Sequence, residues 1–262
     1  MAIQNILILG YGRMGQWFAK QLSKDYHIAV LEKSPINNKT PSNIHFIEHS
    51  QDIYFHNPDL IINAVNLNST ITAFNDIIDY LPERAILSDI TSVKNGIKAY
   101  YQNKNLRFIS THPMFGPTFG NMDDPKNENA IIMEESDKEG IEFFRKFYHH
   151  LNIATHFTSF ENHDKLMAES LSLPFLTALS FILNTSRSII PGTTYQKQMD
   201  ISEQLLSEDI HLLTEILMNP GSLKKIETIK NSLNKLYETI NTRDNDELKK
   251  ILKELKEISS LS

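Results

Sequence analysis

A glycine-rich turn, Gly10-Tyr11-Gly12-Arg13-Met14-Gly15, follows directly on the apolar run Ile3 to Leu9 and opens the helix-forming stretch Gln16 to Leu22. A short apolar run that ends in glycines suits a buried parallel strand. In that setting the first glycine allows a tight turn, the second lets backbone approach a pyrophosphate, and the third allows close packing of helix on strand. The phosphates would sit on the helix N-terminus, where free N–H groups and the dipole favour anions. A second apolar run, His27 to Leu31, ends on the acid Glu32. A carboxylate there accepts hydrogen bonds from the adenine-side ribose hydroxyls and repels a 2′-phosphate, favouring NAD over NADP, with Lys33 as the opposing charge beside it. The alternative is a structural tight turn followed by an incidental glutamate.

Further short apolar segments at Leu60 to Val65, Ala85 to Leu87 and Leu106 to Ile109 alternate with helical stretches at Ile71 to Tyr80 and Val93 to Tyr101. Strands alternating with helices predict an α/β fold with an open, mostly parallel sheet of Rossmann type. Gly116 to Asn129, rich in Gly, Pro, Asn and Asp, reads as a loop. A strand near Ala130 to Met133, a helix over Ser136 to Leu151 and a last strand around Ile153 to Phe157 follow. From about Glu161 onward only helical periodicity remains, with breaks at Pro191-Gly192 and Asn219-Pro220-Gly221 and a kink expected at Pro174. Leu223 to Ile258 reads as an amphipathic helix pair turning near Asn241 to Asn245. The expected organisation is a nucleotide-binding domain over residues 1–160 and an all-α domain over residues 161–262.

Composition narrows the partners. Across 262 residues, 26 Lys and Arg stand against 32 Asp and Glu, a net charge of −6. That balance argues against nucleic acid, whose phosphates need basic stripes. With no cysteine, disulfides, thiolate nucleophiles and cysteine-bound zinc are excluded. No apolar run reads as approaching the roughly 18 residues of a membrane span; the best, Phe175 to Leu183, is interrupted by Thr177 and Ser180. The N-terminus lacks the basic flank of a signal peptide, so the expectation is a cytoplasmic protein without a membrane partner.

Two segments carry chemistry at the carboxyl edge of the sheet, where such folds bind ligands. Asp89-Ile90-Thr91-Ser92-Val93-Lys94 leaves a strand for a helix, and its hydroxyls serve equally well as a helix cap. Ser110-Thr111-His112-Pro113-Met114-Phe115-Gly116-Pro117 follows the next strand. An imidazole at that edge can act as a general base near neutral pH, although a histidine at a strand end is also a common structural residue. His45 and His49 are four apart with no third ligand, which does not make a metal site.

Taken together, Gly10 to Gly15, Glu32, Asp89 to Lys94 with Asn95-Gly96, Thr111 to Pro117, and Glu161-Asn162-His163-Asp164-Lys165-Leu166-Met167-Ala168 resemble the prephenate dehydrogenase family, including its arogenate-using relatives. The resemblance implies a nucleotide-binding domain followed by a helical domain through which two subunits associate. It further implies NAD-dependent oxidative decarboxylation of a cyclohexadienol, prephenate to 4-hydroxyphenylpyruvate, as in tyrosine biosynthesis. His112 would be the proton acceptor, Ser92 the hydroxyl that orients it or the substrate, and Lys94 the neighbouring base in the site. Gly10 to Gly15, Glu32 and Thr91 would hold the cofactor, and His163, Phe175, Lys197 and Gln204 would border the substrate. No mutase domain like that of bifunctional relatives is expected.

Two positions depart from the family pattern. Gln204 stands where an arginine commonly grips the ring carboxylate, and Phe175 where a histidine often follows the His-Asp element. Few residues replace a bidentate guanidinium. Lys197 lies on the same helix face as Gln204 but about 10 Å along the axis, and Arg187 is a further candidate. These departures leave open a specialised relative acting on arogenate, aminodeoxyprephenate or another cyclohexadienol. A non-catalytic NAD-binding regulator would keep Gly10 to Gly15 and be indifferent to His112.

Overall fold

The computed structural model describes residues 3–34, 41–94, 96–116, 122–186 and 190–260. Asn95, Pro117 and Arg187, singled out above, lie outside the described residues. The strands are β1 (Asn5–Leu9), β2 (His27–Leu31), β3 (Ile44–Ile47), β4 (Leu60–Asn63), β5 (Ile86–Asp89), β6 (Phe108–Pro113), β7 (Asn129–Met133) and β8 (Ala154–Thr158). They form one sheet in the order 3-2-1-4-5-6-7-8. The sequence order reverses between β1 and β4, which is the switch point where α/β sheets open a crevice for ligands. All pairings are parallel except β6 with β7. Helices α1 (Arg13–Leu22), α2 (Ile53–His56), α3 (Thr70–Asn75), α4 (Ile97–Asn103) and α5 (Lys138–His150) intersperse the strands. Beyond β8 the described chain is helical: α6 (Phe160–Met167), α7 (Leu173–Leu183), α8 (Thr193–Leu206), α9 (Ile210–Leu217), α10 (Ser222–Asn241) and α11 (Asn245–Ser259).

The sheet is covered on both faces, which is why its strands read as continuous apolar runs. Alternate residues of β1 divide between the two cores. Ile6 and Ile8 join Trp17 and Phe18 of α1 and Phe143, Phe144 and Tyr148 of α5. Leu7 and Leu9 join Phe74 of α3, Ile97 and Tyr101 of α4, and Phe160 and Met167 of α6. Phe160, His163 and Met167 stand at i, i+3 and i+7, one face of a helix, and all three are buried. Burying a Phe or Met stabilises by about 1.5–3 kcal/mol, so those two side chains fasten α6 to the sheet and turn His163 inward with them.

Several boundaries differ from those expected. The segment at Ile71 to Tyr80 breaks into α3 and a 3₁₀ turn at Ile78–Tyr80, and the helix expected from Val93 starts only at Ile97. Strand β6 runs on through His112 because antiparallel β7 pairs His112 with Ile131. His112 is therefore a strand residue, one position from the end of β6, rather than the start of a loop.

The expectation that no apolar helix reaches membrane length is also corrected. A π turn at Ala168–Ser172 joins α6 to α7, giving one helical run over Phe160–Leu183 of 24 residues with mean hydropathy 1.7 in its most apolar window. Pro174 falls at the start of α7, and the π turn just before it is the irregularity that Pro174 was expected to produce. Only 22% of that window is buried within the single chain, although α8, α9 and α10 pack along the run.

Candidate active site

Gly10 adopts φ +86°, and a Cβ there would lie 3.1 Å from Val65 Cγ1 and 3.2 Å from the Ala64 carbonyl oxygen. A Cβ on Gly15 would collide with the carbonyl oxygen of Gly10, so helix and turn meet only with glycine at that position. Gly12 faces open space. Helix α1 starts there with no side chain capping it and no acidic residue in its first turn. Its first N–H groups remain available to an anion, and the room beside Gly12 is the cradle that a side chain would fill. Arg13 is exposed, Met14 packs partly on the core, and the ring of Tyr11 sets its edge on Phe46 at 5.0 Å.

Glu32 is tied into this turn. One carboxylate oxygen accepts from the Tyr11 N–H at 2.6 Å, and the other accepts from the Ser34 N–H at 2.8 Å. Each oxygen keeps acceptor capacity for a ribose hydroxyl. Lys33 points its ammonium to Asp76 at 2.6 Å. The glycine turn, the bare helix end and the held carboxylate fit a dinucleotide, with the adenosine ribose at Glu32 and the phosphates at Gly12.

Along the same carboxyl edge, β5 ends in a buried polar cluster. The Lys94 ammonium donates to Asp89 Oδ1 at 2.7 Å and to the Thr111 carbonyl at 2.8 Å, and neither charged side chain is exposed. Asp89 also accepts from the Thr91 hydroxyl at 2.7 Å and from the Tyr101 hydroxyl at 3.0 Å. Burial by itself would raise the Asp89 carboxyl, but the Lys94 ammonium and these hydrogen bonds outweigh it and hold it below the ordinary carboxylate range. Burial lowers Lys94 against the opposing pull of Asp89. With these donors engaged, Lys94 holds β5 to β6 rather than projecting an ammonium at a ligand. Thr91, too, spends its hydroxyl on Asp89. Ser92 is half-buried and has no hydrogen bond to a described residue, His112 included.

His112 is 6% exposed. Burial, then the proximity of His163 and the Lys94 ammonium, push its imidazole well below its ordinary value. It is therefore neutral, a proton acceptor, at physiological pH. Its Nδ1 lies 3.1 Å from His163 Nε2, and among the described residues its Nε2 has no hydrogen-bond partner. His163, placed at the substrate from sequence, has no exposed side-chain surface and instead links His112 to Asp164, whose carboxylate is 3.1 Å from His163 Nδ1.

The other residues expected at the substrate stand apart from this cluster. Lys197 and Gln204 are exposed on α8. Phe175 packs with Ala178, Leu205 and Leu213 in a small core of the helical half. The structure gives Asp89 and Thr111, named above only within their motifs, a part in building the site, and it adds Tyr101. Their sequence signal is slight, since polar residues 12 and 22 positions apart share no period.

Residues 19–141 match the family model for the prephenate dehydrogenase nucleotide-binding domain. A probable arogenate/prephenate dehydrogenase of Methanocaldococcus jannaschii is 25% identical over 274 residues, covering 95% of this chain and 59% of that protein. The chloroplastic arogenate dehydrogenase 2 of Arabidopsis thaliana is 25% identical over 240 residues, covering 86% of this chain and 66% of its own length. This chain thus spans about three fifths to two thirds of the length of those curated relatives. The crystal structure of prephenate dehydrogenase from Aquifex aeolicus with hydroxyphenyl propionate and NAD+ superposes with TM-score 0.80 at 20% identity, over 100% of this chain and 99% of that one. In its nucleotide-binding sequence and, from end to end, in its fold, the chain is similar to prephenate dehydrogenases.

Proposed function

We propose that this protein is an NAD-dependent dehydrogenase that oxidatively decarboxylates prephenate to 4-hydroxyphenylpyruvate, with His112 as proton acceptor. The observation that carries the reading is the buried, neutral His112 imidazole, whose Nε2 no described residue engages, on the carboxyl edge that also holds the glycine turn. From β1 to β6 is three strand spacings, about 14 Å at roughly 4.8 Å each, which a dinucleotide laid along that edge can cover. When bound, NAD supplies the hydride acceptor. His112 takes the hydroxyl proton as the carbinol carbon loses its hydride. The ring carboxylate leaves as carbon dioxide, and its bonding pair completes the aromatic ring. Relatives named for prephenate and for arogenate support the substrate class, and the NAD+ complex of the Aquifex aeolicus protein supports the cofactor. Glu32 at the ribose position and Lys33 turned to Asp76 favour NAD over NADP. A cytoplasmic biosynthetic enzyme is the setting this reading implies.

Gln204 motivates a second reading, in which the substrate is arogenate or another cyclohexadienol. The two are separated by NAD reduction measured in parallel with prephenate, arogenate and 4-amino-4-deoxyprephenate. Turnover of prephenate at least about tenfold above the others, or about 1.4 kcal/mol in the barrier, is expected. Turnover of another compound alone favours the second reading, and silence with all three, despite NAD binding, overturns the first and points to an untried cyclohexadienol or to a non-catalytic NAD-binding role.

We also propose that a second copy of the chain covers the helical half. Leu183, Ile210, Met218 and Leu223 are each more than two-thirds exposed there, and large apolar side chains left in water favour burial against a partner. Light scattering should give twice the chain mass of 30.1 kDa; the mass of a single chain overturns the dimer.

A further inference from the structure

Three side chains form a line from the helical half into the sheet, and each fixes the protonation of the next. Asp164 Oδ1 lies 3.1 Å from His163 Nδ1. A carboxylate only accepts, so His163 carries its proton on Nδ1. A neutral imidazole protonated there has its lone pair on Nε2, and His163 Nε2 lies 3.1 Å from His112 Nδ1. That lone pair requires a donor, which places the proton of His112 on Nδ1 and leaves Nε2 as the basic nitrogen. The two rings meet at 63° with centroids 5.3 Å apart, an edge contact that suits an in-plane N–H···N bond rather than a stack.

We propose that His163 and Asp164 are positioning residues for His112: they select the tautomer that presents Nε2 to the substrate hydroxyl, and they stabilise the imidazolium formed when that proton arrives. This proposal rests on the reading of His112 as the base. Among the described residues, His163 from α6 and the Lys94 ammonium from the turn after β5 bear on His112 directly, while Asp164 of α6 and Asp89, the partner of Lys94, bear on His163. The Lys94–Asp89 pair is already mutually compensated, so the carboxylate of Asp164 is the anion free to respond to a charge arriving on His112. It is also partly open to solvent, with 30% of its side chain exposed. The docking of α6 through Phe160 and Met167 holds this line in register.

The first test reads the tautomer directly. Long-range 1H–15N correlation of the labelled full chain should show His112 protonated at Nδ1 with its lone pair at Nε2; the opposite tautomer overturns the proposal without reference to activity. The second test uses Asp164→Asn, which keeps the shape but not the charge. With prephenate and NAD, kcat should fall at least about tenfold while KM stays within about threefold. Because a base without its carboxylate is weaker, the acid limb of kcat/KM should move to lower pH. Asp164→Glu should restore part of the rate. If Asp164→Asn and His163→Asn both keep the wild-type kcat and acid limb while His112→Asn is inactive, the positioning role is wrong and the base stands. If His112→Asn stays active, the base itself is wrong.

Discussion

His112→Asn should lower kcat by about 10²–10⁴-fold, the usual contribution of a positioned general base, while leaving the dissociation constant for NAD within about threefold. On the scale of 1.36 kcal/mol per decade, that is about 2.7–5.4 kcal/mol of transition-state stabilisation. The substitution isolates the chemistry. Asparagine places an amide N–H close to where Nδ1 stood, so the hydrogen bond to His163 can persist and the buried site keeps a donor for that acceptor. What disappears is Nε2, the nitrogen proposed to take the proton. The glycine turn and the start of α1 lie three strands away and Glu32 four, so cofactor binding, measured by fluorescence titration or calorimetry, should be untouched. Wild-type turnover in this variant would remove His112 from the mechanism. Loss of NAD binding together with turnover would show that the variant is misfolded, which a thermal unfolding curve distinguishes.

What the sequence makes legible follows from how far each signal reaches along the chain. The glycine turn and β1 are local: six residues of turn and a strand buried on both faces announce themselves without reference to anything else. β3 escapes notice because Ile44–Ile47 carries a histidine in a four-residue strand at the sheet edge, too short to show a period. The position of His112 inside β6 depends on β7, some twenty residues on, whose antiparallel pairing prolongs the strand. The contact of His112 with His163 spans 51 positions, and only the docking of α6 brings the two together. A family resemblance can flag both histidines, but it assigned His163 to the substrate, whereas packing assigns it to His112. The Asp89–Lys94 pair crosses from strand into turn, where neither a helical nor a strand period links the two. Gln204 and Lys197 project from α8 into solvent in the single chain, so their role depends on what covers that face, which is a property of an assembly rather than of local pattern.

The largest effect on stability should come from Lys94→Met. The native ammonium and carboxylate have no exposed surface, and removing one partner of such a pair typically costs about 3–5 kcal/mol because the other charge is left buried and uncompensated. Urea unfolding at neutral pH should show a loss of that size. Its pH dependence has a definite sign. In the native protein the folded Asp89 carboxyl is held below its ordinary value of 3.8; its contribution is present above that pH and is lost as pH falls through the folded value. Without the ammonium, burial dominates and the folded carboxyl rises above the unfolded one. The variant then recovers stability on acidification, as the carboxyl protonates, and the deficit relative to the native protein narrows towards pH 4. Asp89→Asn on the same background should recover more than half of the loss. An amide oxygen at the Oδ1 position can still accept from the Thr91 hydroxyl, the amide NH2 at the Oδ2 position can donate to the Tyr101 hydroxyl oxygen, and the Asp89 charge is gone. A deficit that is independent of pH, or not relieved by the second substitution, would mean that the cost lies in lost packing of the lysine stem. Catalysis gives a second check, because the ammonium also lowers His112. Lys94→Met should move the acid limb of kcat/KM to higher pH, opposite to the shift expected for Asp164→Asn. Two substitutions on either side of one imidazole, displacing its titration in opposite directions, would locate the base at His112 from the charges around it.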